Sequence, residues 1–277
     1  MGVVNVTPDS FSDGGLYFDK DKAVERGLEL AEQGADILDV GGESTRPGSE
    51  PIPAEEEKKR VIPVISELRK NTDVLISVDT TKSEVAEQAL DAGADIINDI
   101  SAFRFDERMP LLVSEKRAPV ILMHMKGTPK TMQRRPFYEN LYQEIVCFLE
   151  ERINTSLSYG IKQEKIIIDP GIGFGKNLTH NLSIIKNLRF LENLDRPILV
   201  GVSRKSFIGK ILNLPPLDRT EGSIASAVLS VLNGAHILRV HEVEPVRRAI
   251  RVAEAIINQN PFVPENKASK ESTGRYA

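Results

Sequence analysis

Acidic and amide side chains stand at the ends of short apolar runs in this sequence of 277 residues. Asp79 closes one such run, Asn98 lies inside a second, and Asp169 closes a third. A carboxylate accepts two parallel hydrogen bonds from the edge of a flat ring, and an amide oxygen adds a further acceptor. Polar groups in buried strands are costly unless they are paired or used. The three side chains therefore predict a site for a neutral heterocycle with several N–H donors.

Cationic side chains follow or end other runs of the same kind. Arg46 and Lys205 come after two of the runs, and Arg239 and His241 stand two residues apart in another. Residues two apart in a strand point to the same face, so Arg239 and His241 are expected to act together. Such groups suit carboxylate and phosphate. The acidic and basic sets together predict a pocket that holds a flat ring at its floor and anions at its mouth.

The glycine-rich segment 169–176 resembles a dinucleotide-binding fingerprint only in part. A G-x-G-x-x-G motif would need its third glycine where Lys176 stands, so the segment fails that form. The glycines fit a tight turn better. That turn either places Phe174 over a flat ligand or buries Phe174 as a core residue, and composition alone leaves both readings open.

Two further features are expected to be structural. Cys147 lies in a helical pattern among apolar neighbours and is predicted to be a core residue. The charged run 55–60 is predicted to be a solvated helix face. The sequence contains no H-E-x-x-H, G-x-S-x-G or P-loop motif, so the corresponding hydrolase and nucleotide chemistries are not predicted.

Short apolar runs alternate with longer amphipathic segments along most of the chain. Strict alternation predicts parallel strands joined by right-handed crossovers, and eight units favour a closed (β/α)8 barrel, the TIM barrel, as a single α/β domain over residues 1–260. An open doubly wound sheet is the alternative. The predicted strands are 2–6, 37–42, 75–80, 96–100, 120–125, 166–169, 198–202 and 237–241. The predicted helices are 19–33, 54–70, 83–92, 107–117, 138–158, 179–194, 222–232 and 244–258.

A barrel would explain why the polar side chains occur where they do. The carboxyl ends of all eight strands meet at one face, where barrel enzymes carry their active sites. The acidic and cationic side chains described above are therefore expected to converge there. A rim that is polar by coincidence is the alternative.

Composition excludes several classes of protein. Forty acidic residues against 36 basic ones give a net charge of −4, which argues against nucleic acid as the main partner. The single cysteine excludes an intramolecular disulfide and suits a reducing cytoplasm. No apolar run approaches the roughly 20 residues that span a bilayer, so no membrane segment is expected. The polar segment 261–277 is predicted to be a disordered tail.

Two long motifs carry a resemblance to a known family. The segments 5–15, NVTPDSFSDGG, and 41–48, GGESTRPG, resemble the first two loop signatures of dihydropteroate synthase. Later matches occur at 77–80, 97–99, 169–171, 203–206 and 239–241, so the resemblance runs from about residue 1 to 258. Members usually carry a further stretch before the first strand. The start of this chain at Met1 therefore predicts either an upstream segment or a differently closed barrel bottom.

The resemblance implies a fold, an activity and partners. It implies a (β/α)8 enzyme of folate synthesis that joins 6-hydroxymethyl-7,8-dihydropterin diphosphate to p-aminobenzoate, giving 7,8-dihydropteroate and diphosphate. It also implies Mg²⁺ as cofactor and a homodimer, and the family is the target of sulfonamides, although the sequence does not give the sensitivity of this chain. The alternatives are a methyltetrahydrofolate methyltransferase-type pterin barrel, which would need a corrinoid partner, a non-catalytic pterin-binding paralogue and a structural barrel without a ligand.

The resemblance also implies roles for individual residues. The pterin would be held by Asp79, Asn98, Asp169 and Lys205, in a slot lined by Ile100, Met123, Phe174 and Gly201. The diphosphate would be held by Asn5, Arg239 and His241, with Asn5 also reaching Mg²⁺. The p-aminobenzoate side would be formed by Thr45, Arg46, Pro47 and Ser206 with Lys205, while Asp9 and Asp13 would lie on a first loop that closes over the site. Catalysis would rest on Asn5, Arg46, Lys205, Arg239 and His241.

Overall fold

The computed structural model describes residues 1–7, 16–45 and 48–258, and these form alternating strands and helices. The strands are β1 Gly2–Asn5, β2 Ile37–Gly41, β3 Leu75–Asp79, β4 Ile96–Asp99, β5 Val120–Met123, β6 Ile166–Asp169, β7 Leu199–Gly201 and β8 Ile237–Arg239. The helices are α1 Leu16–Glu32, α2 Ala54–Asn71, α3 Ser83–Asp91, α4 Met109–Lys116, α5 Leu141–Ser158, α6 Leu178–Lys186, α7 Ser206–Leu212, α8 Thr220–Leu232 and α9 Val243–Asn258.

The strands close into a parallel barrel with two weak seams. Strands β1 to β6 form a continuous ladder, and β7 pairs with β8. Single bridges then join the two sheets, from Ile168 to Ile198 on one side and from Gly2 to Val240 on the other. The Gly2–Val240 bridge consists of the Val3 N–H donating to the Val240 carbonyl over 3.0 Å and the Val240 N–H donating to the Met1 carbonyl over 2.9 Å. At the other seam the Ile168 N–H donates to the Pro197 carbonyl over 3.0 Å. The predicted (β/α)8 barrel is confirmed, and the open sheet is excluded.

The interior of the barrel is layered because side chains alternate along each strand. An apolar cluster of Met1, Ile37, Ile96, Ile121 and Leu199 fills the layer near the strand starts, with Ile167 and Ile237 packed against it. Two residues further along the same strands stand Asp39, Asn98, Met123, Asp169, Gly201 and Arg239. Because side chains repeat every two residues along a strand, the candidate site lies one layer above the apolar cluster, at the carboxyl end of the barrel.

The structure shortens one predicted helix and adds one that was not predicted. The helix predicted over 179–194 ends at Lys186, and the chain continues as a 3₁₀ helix over Leu188–Leu194. The short helix α7 follows β7 directly and was not predicted. Seven residues offer too little periodicity to distinguish a helix from a loop.

Two predictions about burial are wrong. Cys147 is exposed, because α5 turns the buried stripe of Ile145, Leu149 and Ile153 towards the barrel. Two residues on from Ile145, a side chain points about 200° away from that stripe. The run 55–60 is not wholly solvated either, since Glu57 is fully buried.

No helix in the described ranges is long and apolar enough to cross a membrane. Residues 261–277, predicted to be a disordered tail, lie outside the described part of the chain.

Candidate active site

Two carboxylates and one guanidinium form the centre of the site. Arg239 on β8 donates from Nε to Asp39 Oδ2 over 2.6 Å and from Nη2 to Asp79 Oδ2 over 2.9 Å. The Asn98 amide also donates to Asp39 Oδ2, over 3.2 Å. Asp39 is fully buried, whereas the Arg239 side chain keeps 23% of its surface exposed at the mouth. A cation fixed by two carboxylates is thus presented to the pocket.

Sequence reasoning missed Asp39. Its signal was a carboxylate inside the apolar run 37–42, which is costly without a partner. That partner is Arg239, 200 positions further along the chain, so nothing local identifies the pair.

Burial shifts the ionisation of the carboxylates. It raises the pKa of Asp79 to about 7, with Asp39 adding to the rise and Arg239 opposing it. It also raises the pKa of Asp169 to about 6, although the Gly171 N–H and Lys205 favour the charged form. Strongly shifted carboxyl groups in a cleft are typical of functional sites.

An apolar cluster borders Asp169, whose partner in the neighbouring strand is Met123. This cluster joins Ile100, Met123, Met125, Met132 and Phe174. The Lys205 ammonium lies over the face of Phe174, with Nζ 4.4 Å from the centre of the ring. Burial and the neighbouring charge of Arg239 lower the pKa of Lys205 to about 8, although Asp169 and Asp79 oppose the shift. An apolar surface beside a carboxylate suits a flat ring that carries N–H donors on its edge.

Gly171 lets the loop after β6 approach the loop after β5. Its φ is +69°, and its N–H donates to Asp169 Oδ1 over 2.6 Å. A Cβ at this position would lie 1.9 Å from the His124 carbonyl oxygen. The glycine therefore serves both the turn and the orientation of the carboxylate.

His241 is held by a chain of polar groups on the side of the mouth near β7 and β8. Its Nδ1 lies 3.0 Å from Ser203 Oγ, and Ser203 Oγ lies 3.2 Å from Glu242 Oε2. Arg204 Nε donates to Glu242 Oε1 over 2.5 Å. Sequence reasoning did not single out Glu242, which orients both Ser203 and Arg204.

The loop after β2 is anchored through Lys82. Its ammonium donates to Glu43 Oε2 and to Glu57 Oε2, each over 2.5 Å. Glu43 immediately precedes the Ser44-Thr45 pair, so this network fixes the base of the loop. It also explains why Glu57 is buried, which its charged neighbours concealed in the sequence.

The structure brings most of the predicted site residues to one end of the barrel. The group comprises Asn5, Thr45, Asp79, Asn98, Ile100, Met123, Asp169, Phe174, Gly201, Lys205, Ser206, Arg239 and His241. Asn5 and Thr45 are half-buried, and Ser206 is exposed at the start of α7. Asp9, Asp13, Arg46 and Pro47 lie outside the described residues.

Asn5 is a candidate donor to a metal ion at the mouth of the barrel. In the part of the chain that the structure describes, no group of three or more His, Cys, Asp or Glu side chains could hold a metal ion. Asn5 ends β1 at the mouth and carries an amide oxygen, a hard donor of the kind Mg²⁺ prefers. Mg²⁺ commonly takes one or two protein oxygens together with substrate phosphates and water.

The fold and the site define a pterin-binding barrel. A family model described as pterin binding enzyme matches residues 1–241, which span every strand.

Dihydropteroate synthases of several bacteria are similar to this chain in sequence and in structure. The dihydropteroate synthase of Escherichia coli K12 is 46% identical over 258 residues, covering 93% of this chain and 91% of the relative. A Yersinia pestis dihydropteroate synthase solved with a sulfonamide drug superposes with a TM-score of 0.89 at 43% identity, covering 93% and 94% of the two chains. A Xanthomonas albilineans structure with 7,8-dihydropteroate gives 0.84 at 42% identity, covering 95% and 94%.

The chain belongs to the dihydropteroate synthase family, whose members are transferases of folate synthesis. The methyltransferase-type barrel and the barrel without a ligand are therefore set aside.

Proposed function

We propose that the chain condenses 6-hydroxymethyl-7,8-dihydropterin diphosphate with p-aminobenzoate by a dissociative displacement of diphosphate. The observation that carries this proposal is Arg239, fixed by Asp39 and Asp79 and presented at the mouth two residues from His241. Such a cation would stabilise the negative charge that grows on the leaving group as the bond to diphosphate lengthens.

Each substrate would occupy one part of the pocket. Asp79, Asn98, Asp169 and Lys205 would hold the pterin edge, in the slot of Ile100, Met123, Phe174 and Gly201. Asn5, Arg239 and His241 would hold the diphosphate. Thr45, Arg46, Pro47 and Ser206 would form the p-aminobenzoate side, and Asp9 and Asp13 would belong to a closing loop.

The reaction needs positioning rather than a protein nucleophile. The bond between the exocyclic CH₂ and the diphosphate oxygen breaks, and its electron pair leaves with diphosphate. The electron-rich dihydropterin stabilises the resulting cation, and the neutral aniline nitrogen attacks it and then loses a proton. The protein holds the partners in line and excludes water. Mg²⁺, when bound through Asn5 and the diphosphate, supplies additional charge neutralisation for the leaving group.

A product assay tests this function directly. The purified chain is mixed with the dihydropterin diphosphate, p-aminobenzoate and Mg²⁺, and 7,8-dihydropteroate is sought by mass spectrometry. Product is expected. A folded chain that binds the pterin and yields no product would instead be a non-catalytic paralogue.

Replacing Asp169 with asparagine should weaken pterin binding by about 1–3 kcal/mol, because an amide presents a donor where two acceptors are needed. Calorimetry with 6-hydroxymethylpterin measures the change. Asp195→Asn is the matched control, since its side chain is 92% exposed. Equal pterin affinity in the wild type and Asp169→Asn would reject the role given to this carboxylate.

We also propose a homodimer that forms through helices α7 to α9. Large apolar side chains are exposed along this side: Ile211, Leu212, Leu214, Leu217, Leu229, Leu232, Val252, Ile256 and Ile257. Such a concentration of apolar surface marks an interface. A second copy with the same surface would cover it symmetrically.

Replacing Ile256 with glutamate should convert the dimer to a monomer, because a charge would be buried without a partner. Sedimentation velocity at micromolar concentration measures the outcome. Leu111→Glu is the control, since Leu111 is exposed on α4, away from this face. A monomeric wild type, or a variant that remains dimeric, would reject the interface.

Two further properties follow from family membership and composition. The Yersinia pestis relative was solved with a sulfonamide drug, and we extend sulfonamide binding to the p-aminobenzoate side of this pocket. The single cysteine is consistent with a cytoplasmic location.

A further inference from the structure

Lys176 is a buried lysine that the proposed reaction does not use. It follows the glycine-rich turn after β6, and only 2% of its surface is exposed, although lysine is rarely buried without a partner. Its ammonium reaches His124 Nδ1 over 2.9 Å, the Phe174 carbonyl over 3.0 Å and the His124 carbonyl over 3.4 Å. Among the described residues, no carboxylate forms an ion pair with it. All three ammonium protons therefore point at neutral acceptors.

These acceptors belong to the two loops that build the pterin slot. His124 follows β5 and Met123, whereas Phe174 lies in the loop after β6 and Asp169. The His124 N–H also donates to the Asp169 carbonyl over 2.8 Å. A loss of the ammonium would leave the two loops with fewer contacts at the point where the slot wall meets the carboxylate.

The charges of Lys176 and Asp169 also attract each other. Burial lowers the pKa of Lys176 to about 7, while Asp169 favours its charged form. Burial raises the pKa of Asp169 to about 6. The charges of Lys205 and Lys176 oppose this rise, because they favour the ionised carboxylate. The other titratable or charged groups that face these residues are Arg104, Lys126, Tyr138 and His180 around Lys176 and His124, and Arg239 beside Asp169. Near pH 6, Lys176 is charged while Asp169 titrates.

We propose that Lys176 is a positioning residue for the pterin, which clamps the loops after β5 and β6 together and keeps the Asp169 carboxylate ionised when the pterin donates to it. This inference rests on the proposed function, in which Asp169 is an acceptor for the pterin edge.

The test is the pH dependence of pterin affinity in Lys176→Met, which keeps the length of the side chain and removes its charge. The probe is 6-hydroxymethylpterin, which lacks the diphosphate, so that ionisation of the leaving group does not enter the profile. Wild-type affinity is expected to rise with pH through the pKa of Asp169, about 6. In Lys176→Met the midpoint of the curve of pterin affinity against pH should move up by about one pH unit, because the positive charge beside Asp169 is gone. Affinity should fall about fivefold near pH 6, and the electrostatic part of the loss should fade by pH 8.

The matched control is Lys126→Met. Lys126 lies on the loop after β5, its side chain is 44% exposed, and it pairs with Glu144 over 2.7 Å. The control should leave the midpoint in place. A purely structural role of Lys176 would lower affinity equally at every pH without moving the midpoint, and that result would overturn the proposal.

A second variant keeps the test decisive if Lys176→Met does not fold. His124→Phe removes one acceptor of the buried ammonium, which makes Lys176 lose its proton more easily and should move the midpoint in the same direction. An unmoved midpoint in the folded variant would overturn the proposal.

Asp169→Asn distinguishes a failure of the role given to Lys176 from a failure of the proposed pterin site. If it loses pterin affinity while the lysine variant keeps the wild-type midpoint, only the role of Lys176 fails. If Asp169→Asn binds the pterin as well as the wild type does, the proposed pterin site itself fails.

Discussion

Replacing Arg239 with alanine is expected to lower kcat/KM for the dihydropterin diphosphate by about 100–1,000-fold, the usual cost of removing one group that stabilises developing negative charge. The same change leaves Asp39 and Asp79 facing each other without their shared cation. Removing one partner from a buried ion pair costs about 3 kcal/mol of folding free energy. Steady-state kinetics, together with thermal unfolding followed by circular dichroism, measures both effects.

Two further variants separate charge from geometry. Arg239→Lys keeps a positive charge but cannot bridge both carboxylates with a planar fork, so its kcat/KM should lie between those of the alanine variant and the wild type. Arg108→Ala is the control, because that side chain is 54% exposed at the start of α4, away from the site and from the proposed dimer surface. Unchanged kinetics in Arg239→Ala would remove Arg239 from the leaving-group site.

Replacing Gly171 with alanine is the second change with a large expected effect. The new Cβ would stand 1.9 Å from the His124 carbonyl oxygen at a φ of +69°. Because that neighbour is backbone, the loops after β5 and β6 must move apart, and we expect a loss of about 3 kcal/mol in the free energy of unfolding. Pterin affinity should fall with it, since the same loops carry Asp169 and Phe174.

Gly160→Ala measures the backbone strain without the clash, so the difference between the two variants gives the steric part of the effect. Gly160 has a similar φ of +82°, but its Cβ would meet only Ser114 Oγ, at 3.5 Å. Backbone strain alone should cost about 1 kcal/mol there. Chemical denaturation of both variants gives the comparison, and equal losses would show that the close approach at Gly171 has no energetic weight.

The barrel could be predicted because each strand is a short apolar run whose alternation is visible locally. The same period of two places Asn98, Asp169 and Arg239 one layer above the floor of Ile96, Ile167 and Ile237. Local pattern was misleading where burial depends on which face of a helix meets the barrel. Cys147 has apolar neighbours in sequence but lies on the outer side of α5.

Partnerships between distant residues could not be predicted. Asp39 belongs to the site because of Arg239, and Glu57 is buried because of Lys82. In both cases the sequence shows only one costly charge, whereas the fold supplies the group that offsets it. The roles given to the individual site residues remain predictions that the variants above address.

The two seams of the barrel have a consequence for motion. Hydrogen bonds along β1 to β6 form an unbroken ladder, whereas the β7–β8 ribbon joins it through single bridges at Ile168–Ile198 and Gly2–Val240. Opening along a seam breaks fewer contacts than opening within the ladder, so the ribbon is expected to be a separate unit of local unfolding. That unit carries Arg239 and the approach to Lys205, whereas Asp79, Asn98 and Asp169 stay with the ladder. The ion pairs from Arg239 to Asp39 and Asp79 cross from the ribbon to the ladder, so local opening of the ribbon requires both pairs to break.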